Sequence, residues 1–155
     1  MSDAQHQVSV SRVIPADAQR IFDVIADPTL HHVIDGSGSV KGTKGASHKL
    51  GLGDKFATRM HMGLPYRITN KVVEYSEGRR IAWAHIGGWR WRYELEPIED
   101  GDDAGSTLVT ETFDWSTSKA GGYVQLMKFP SRNRDSMERT LARLDAFVEN
   151  TASAL

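Results

Sequence analysis

The chain has 155 residues, 19 basic and 20 acidic side chains for a net charge of −1, and no cysteine. A chain of this size fits one domain that buries enough apolar surface to fold without covalent staples. The missing cysteine excludes disulfides, thiolate catalysis and Cys-based metal sites; the dispersed charge argues against a nucleic-acid footprint, and no apolar run approaches a membrane span.

Residues 1–7 are polar and lack the layout of a signal peptide, so a short frayed lead to a single 1–155 domain and a cytoplasmic address are expected. Val8 to Ile14 then alternates apolar and polar residues, the period of a half-buried strand, and Pro15 ends it. Ile21, Phe22, Val24 and Ile25 cluster on one side of a helical period that opens near Asp17. Asp27-Pro28 stops that helix, and Pro28 suits the start of a second, short one with Leu30, Val33 and Ile34. Asp35-Gly36-Ser37-Gly38 is a turn.

From Val40 to about Trp115 the pattern is a run of six strands with short links. Gly51-Leu52-Gly53-Asp54 leads into Lys55–His61, Gly63-Leu64-Pro65 into Tyr66–Tyr75, Glu77-Gly78 into Arg80–Ile86, and Gly87-Gly88 into Trp89–Leu95. A polar loop at 99–105 precedes Thr107–Trp115. Links this short require antiparallel pairing. Met137, Leu141, Leu144, Phe147 and Val148 recur every three or four residues and predict an amphipathic helix over Arg132–Glu149, roughly 27 Å long. The order is strand, two helices, six strands, long helix. One helix cannot fill the concavity of a seven-stranded twisted sheet, so bulky side chains or a ligand must complete it.

Several segments resemble the SRPBCC superfamily, in particular its polyketide cyclase/dehydrase-type branch. They are Val13-Ile14-Pro15-Ala16 before Ile21-Phe22-Asp23-Val24-Ile25-Ala26-Asp27-Pro28, Asp35 to Val40, Trp91 to Pro97, Thr107 to Thr112, and Met137 to Leu144. The resemblance implies an α+β helix-grip fold, shared with START-like lipid-binding domains. In it a curved seven-stranded antiparallel sheet wraps around a long C-terminal helix in the order β-α-α-β-β-β-β-β-β-α. It also implies a hydrophobic cavity between sheet and helix. It carries over no catalytic set residue by residue.

Side-chain alternation lists what would line such a cavity. The inward parity collects Met60 with Phe56, Thr58 and Met62; then Tyr66, Ile68, Asn70 and Val72; then Ile81, Trp83 and His85. Trp89, Trp91, Tyr93 and Leu95 oppose Arg90, Arg92, Glu94 and Glu96 in the cleanest alternation of the chain. Val109, Phe113 and Trp115 share a face with Glu111, and Met137 and Leu141 approach from the helix. Tyr123 and Met127 lie in a Gly121-Gly122-containing connection, which fits equally a mobile lid over the pocket mouth and a short helix docked on the sheet edge.

Glu111 and His85 are the candidate acid–base groups. An inward Glu111 among aromatics would have its pKa raised by desolvation, unless it pairs with an arginine or a bulge turns it outward. His85 is either a proton shuttle or a satisfied structural residue near a strand end. His31-His32 diverge by about 100° on a helix and cannot share a metal, and no HxH or HxxxH spacing exists, so neither metal nor cofactor is expected. There is neither a G-x-S-x-G elbow nor a dinucleotide fingerprint.

Three functions compete. The first is carriage, sensing or sequestration of a hydrophobic or aromatic small molecule or lipid. The second is a polyketide cyclase, aromatase or dehydratase using Glu111, His85, Tyr66 and Asn70. The third is an apolar surface for a protein partner, with the chain a monomer or a homodimer.

Overall fold

The computed structural model describes residues 6–43, 48–84, 88–116 and 129–153. β1 (Gln7–Ile14) buries Val8, Val10 and Ile14 as its alternation requires. Order begins inside the stretch expected to fray, because the Trp115 N–H donates to the His6 carbonyl at 2.9 Å and Gln7 Nε2 to Asp114 at 3.1 Å. α1 (Ala18–Ile25) is capped by Asp17, whose carboxylate accepts from the Arg20 N–H, and it sinks Ile21, Phe22, Val24 and Ile25 into the core. A 3₁₀ turn (Pro28–Leu30), capped by Asp27, runs into α2 (His31–Ile34).

The remaining strands are β2 (Val40–Thr43), β3 (Lys55–Met62), β4 (Leu64–Ser76), β5 (Arg80–Ala84), β6 (Arg90–Pro97) and β7 (Thr107–Asp114). They form one sheet in the order β1-β7-β6-β5-β4-β3-β2, antiparallel at every junction. The first strand therefore pairs with the last, and β6 lies on the other side of β7. The expected segment beyond Ala84 falls at residues 85–87, outside the described residues.

A bulge interrupts β4 between Val72 and Glu74. It lets Val72, opposite Trp83, and Tyr75, opposite Ile81, both face the core, where Tyr75 meets Phe22 edge-on at 5.7 Å. Bulges bend and twist a strand, which is how a long β4 follows a curved sheet.

The last helix, α3 (Phe129–Ser153), lays Met137, Leu141, Leu144 and Val148 on the concave face. It extends beyond the periodic stretch Arg132–Glu149 at both ends. At the C-terminal end Arg20 of α1 ties the helix to the core, donating to the Val148 carbonyl and to Thr151 Oγ1, both at 2.8 Å. At the opposite edge Arg12 of β1 bonds Asp145 at 2.9 Å.

Gly36 holds the α2–β2 link against α3. Its N–H donates to Thr140 Oγ1 at 2.8 Å and its carbonyl accepts from Arg139 Nε at 2.8 Å. A Cβ there would stand 2.3 Å from the Ser136 carbonyl oxygen and 2.6 Å from the Thr140 nitrogen. Both are backbone atoms of a packed helix and cannot give way cheaply. Gly36 thus serves close approach, while the turn itself uses Gly38 at φ +74°. Gly36→Ala is expected to lower stability by at least about 1–3 kcal/mol, the cost of overpacking, read as a drop in urea midpoint. An unchanged midpoint would refute the contact.

Candidate ligand-binding site

The central strands place the aromatic residues because period-two alternation and antiparallel register act together. Across β6 and β7 the inward pairs are Trp91–Phe113, Tyr93–Glu111 and Leu95–Val109; across β5 and β6 they are Trp83–Trp91 and Ile81–Tyr93. Two ring clusters result. Phe113 contacts Trp91, Trp115 and Trp89 at centroid distances of 4.8, 5.6 and 6.4 Å. Trp83 meets Tyr93 at 5.7 Å and Phe56 at 5.5 Å, and it stacks on His31 at 4.8 Å.

Glu111 sits at the seam of these clusters, paired across the sheet with Tyr93 on one side and Val10 on the other. It is 3% exposed, and its Oε1 has no hydrogen-bond partner. Burial pushes its pKa up to about 8, with Asp35 adding to the rise and a hydrogen bond from Tyr93 opposing it. The Tyr93 hydroxyl is in turn pushed well above its ordinary range, by burial first and then by Glu111.

Neither structural alternative for Glu111 holds: β7 carries it inward without a bulge, and among the described residues no arginine or lysine pairs with it. The nearest arginines in sequence register, Arg90 and Arg92, point to the outer face. There Arg92 donates to Glu74 at 2.8 and 3.0 Å and to Asp114 at 3.1 Å, while Arg90 reaches Glu74 at 3.0 Å. The arginines hold Glu74 and Asp114 below the ordinary carboxylate range, although Asp114 owes more of its shift to bonds from Ser116.

The other sequence candidates divide. Trp83, Tyr93, Phe113, Met137 and Leu141 are buried on the concave face, and Met60, Ile68, Trp89 and Trp91 are half-buried. Asn70 is buried, but its Nδ2 donates to Thr58 Oγ1 at 3.4 Å. Tyr66 keeps the inward parity yet is 40% exposed near the β3–β4 link, away from Glu111. His85, Tyr123, Met127 and the glycine-hinged connection lie outside the described residues.

In the sequence His31 stands out only as half of a metal pair. Its ring is buried, and Nε2 donates to the Ile25 carbonyl at 2.8 Å, which fixes the tautomer; burial lowers its pKa, so it is neutral. His32 is exposed. The signal available in the sequence was the place of His31 one turn after a Pro-started helix, on the side shared with Ile34. Among the described residues no three metal-ligating side chains come together.

Trp115 Nε1 and Asp145 Oδ1 are further buried polar atoms without partners. Two grooves of about 620 and 590 Å³ open elsewhere. One lies on the outer sheet face around Arg80, Glu94 and Thr110, the other between α1 and α3 around Val24 and Phe147. Neither touches the Glu111 seam.

An antiparallel seven-stranded sheet carrying inward aromatics and closed by a C-terminal helix is the helix-grip fold of the SRPBCC superfamily. The chain belongs to the polyketide cyclase/dehydrase and lipid transport family, which matches residues 5–149. It is 38% identical over 143 residues to the uncharacterized protein Rv0088 of Mycobacterium tuberculosis, covering 89% of this chain and 62% of that protein. The chain thus spans less than two-thirds of the curated relatives it matches. Among solved structures, the NE0264 protein of Nitrosomonas europaea superposes with a TM-score of 0.70 at 15% identity, over 97% of this chain and 99% of that one. The AHSA1-like protein of Aeromonas hydrophila gives 0.62 at 16% identity over 94% of each chain. At such identities the likeness is one of fold. No helix among the described residues is long and apolar enough to cross a membrane.

Proposed function

We propose that the protein binds a hydrophobic, aromatic small molecule between the sheet and α3, with a polar end at Glu111. The observation that carries this reading is a carboxyl buried in an aromatic wall with one oxygen unpartnered. A buried polar atom left unsatisfied costs roughly 1–3 kcal/mol, which a ligand hydrogen bond would recover. Flat rings suit the half-buried Trp89 and Trp91, which Phe113 backs from beneath, since aromatic pairs contribute beyond the area they bury. Few convergent polar groups in an apolar surround is the usual make-up of a small-molecule site.

The test is displacement of an environment-sensitive apolar dye, comparing the natural chain with Trp91→Ala. The dye should bind the natural chain and be displaced by fused-ring aromatics, and Trp91→Ala should weaken it several-fold. No dye binding to a folded chain would end the reading.

A second reading, acid–base catalysis of a cyclisation or dehydration, draws on the same carboxyl. A group with a pKa of about 8 exchanges protons near neutral pH. Turnover of a poly-β-ketone substrate that Glu111→Gln abolishes would support it.

A further inference from the structure

The charges around the seam are arranged with one sign. β6 turns Arg90 and Arg92 to the outer face, where Glu74 and Asp114 hold them. β3 leaves Lys55, Arg59 and His61 exposed on the opposite parity from Phe56 and Thr58. Arg12 of β1 is on the inner parity, but its Nε bonds Asp145 of α3 at 2.9 Å. α2 contributes His31, which burial keeps neutral, and its end contributes Asp35, whose negative charge acts on both Glu111 and Tyr93. Among the described residues, then, the concave face offers a carboxyl, a phenol and an indole N–H; Asp35 is the charge that acts on the carboxyl, Arg12 is engaged by Asp145, and Arg139 and Arg143 of α3 are engaged by the carbonyls of Gly36 and Asp35.

An anionic head group would have to leave water for a face on which no described residue offers an unengaged cation. Burying an unpaired ion is far more costly than burying a hydroxyl that makes one hydrogen bond. A hydroxyl, by contrast, both donates and accepts, so it suits Glu111 Oε1 whichever carboxyl oxygen holds the proton.

Building on the small-molecule reading above, we propose that the site selects by charge: it takes a neutral hydroxyaromatic ligand hydrogen-bonded to Glu111 and rejects carboxylate-headed ligands of the same size. Fatty-acid-type anions are therefore excluded as its cargo, and phenol-type ring systems are its ligand class.

The experiment is a calorimetric titration of the full chain at pH 7 with 2-naphthol, 2-naphthoate and naphthalene, three probes of nearly one skeleton. 2-Naphthol is expected to bind at least about tenfold more tightly than 2-naphthoate. It should also bind about fivefold more tightly than naphthalene, the share of one net hydrogen bond. Glu111→Leu should erase the gap between 2-naphthol and naphthalene, whereas Glu111→Gln, which keeps a donor and an acceptor, should retain it. 2-Naphthoate binding as tightly as 2-naphthol would overturn charge selection while leaving aromatic binding intact. Failure of all three probes, with no dye binding either, would overturn both. The comparison among probes on the natural chain stands even if a variant misfolds.

Discussion

Glu111→Gln should make the protein more stable than its natural form at alkaline pH, by up to about 5 kcal/mol, and nearly indifferent at pH 4.5. The sign follows from linkage. The Glu111 pKa is about 8 in the folded chain against an ordinary 4.5. Below 4.5 the carboxyl is protonated in both states and favours neither. Between 4.5 and 8 the unfolded chain releases a proton that the folded chain retains, so stability falls by about 1.4 kcal/mol per pH unit as pH rises. Above 8 the penalty is complete, because the native state must carry a buried, unpaired carboxylate.

Glutamine has nearly the same shape and no charge, so its curve lacks this slope. The other shifted groups, including His31, which destabilises in the opposite direction as pH falls below 6.5, are common to both proteins. They cancel in the difference when the two sites do not interact. Urea unfolding at a series of pH values from 4.5 to 9 measures the effect. Parallel curves would mean that Glu111 is ionised and solvated in the native state.

Phe113→Ala should cost about 3–5 kcal/mol, the range for truncating a fully buried aromatic side chain. Phe113 is 1% exposed and lies within 4.8–6.4 Å, centroid to centroid, of three tryptophans. Those rings come from β6, the link before it and the residue after β7. They are held at separate backbone positions, so they cannot all collapse into the space, and a cavity next to Glu111 remains. The loss should appear as a lower urea midpoint, and tryptophan fluorescence should shift because the rings lose a neighbour. A small aromatic such as benzene should restore part of the stability through mass action on the native state. A loss below about 1 kcal/mol would mean that Phe113 does not anchor the cluster.

How much of this was legible in the sequence differs by element. Trp89, Trp91, Tyr93 and Leu95 alternate with charged residues without exception, and their strand lies in mid-sheet with the parity expected. Glu111 was legible by the same argument, since its neighbours at i±2 are Val109 and Phe113. The strand at Arg80 was harder, because Ala82 on the outer face is as buried as Ile81 on the inner one. It lies across from Glu74 and Arg92, whose ion pair roofs the outer face there, so beyond Arg80 no polar residue of the strand marks the solvent side. Tyr66 misled for the opposite reason: parity records which face a residue takes, but not how far along the strand the helix covers that face.

Local periodicity and turn chemistry determined the order of elements, the antiparallel sheet, the helix stripe and the inward aim of Glu111. These depend on neighbours two to four residues apart, and a sequence displays them directly. Only the tertiary structure decided that no described cation stands opposite Glu111, that His31 is a neutral ring stacked on Trp83, and that Gly36 is a contact rather than a bend. Each of these is set by partners far along the chain: Tyr93 for the carboxyl, Trp83 for the imidazole, Ser136 and Thr140 for the glycine. A pKa and a steric limit are sums over whatever folding brings within a few ångströms, and no spacing rule in the sequence encodes that sum.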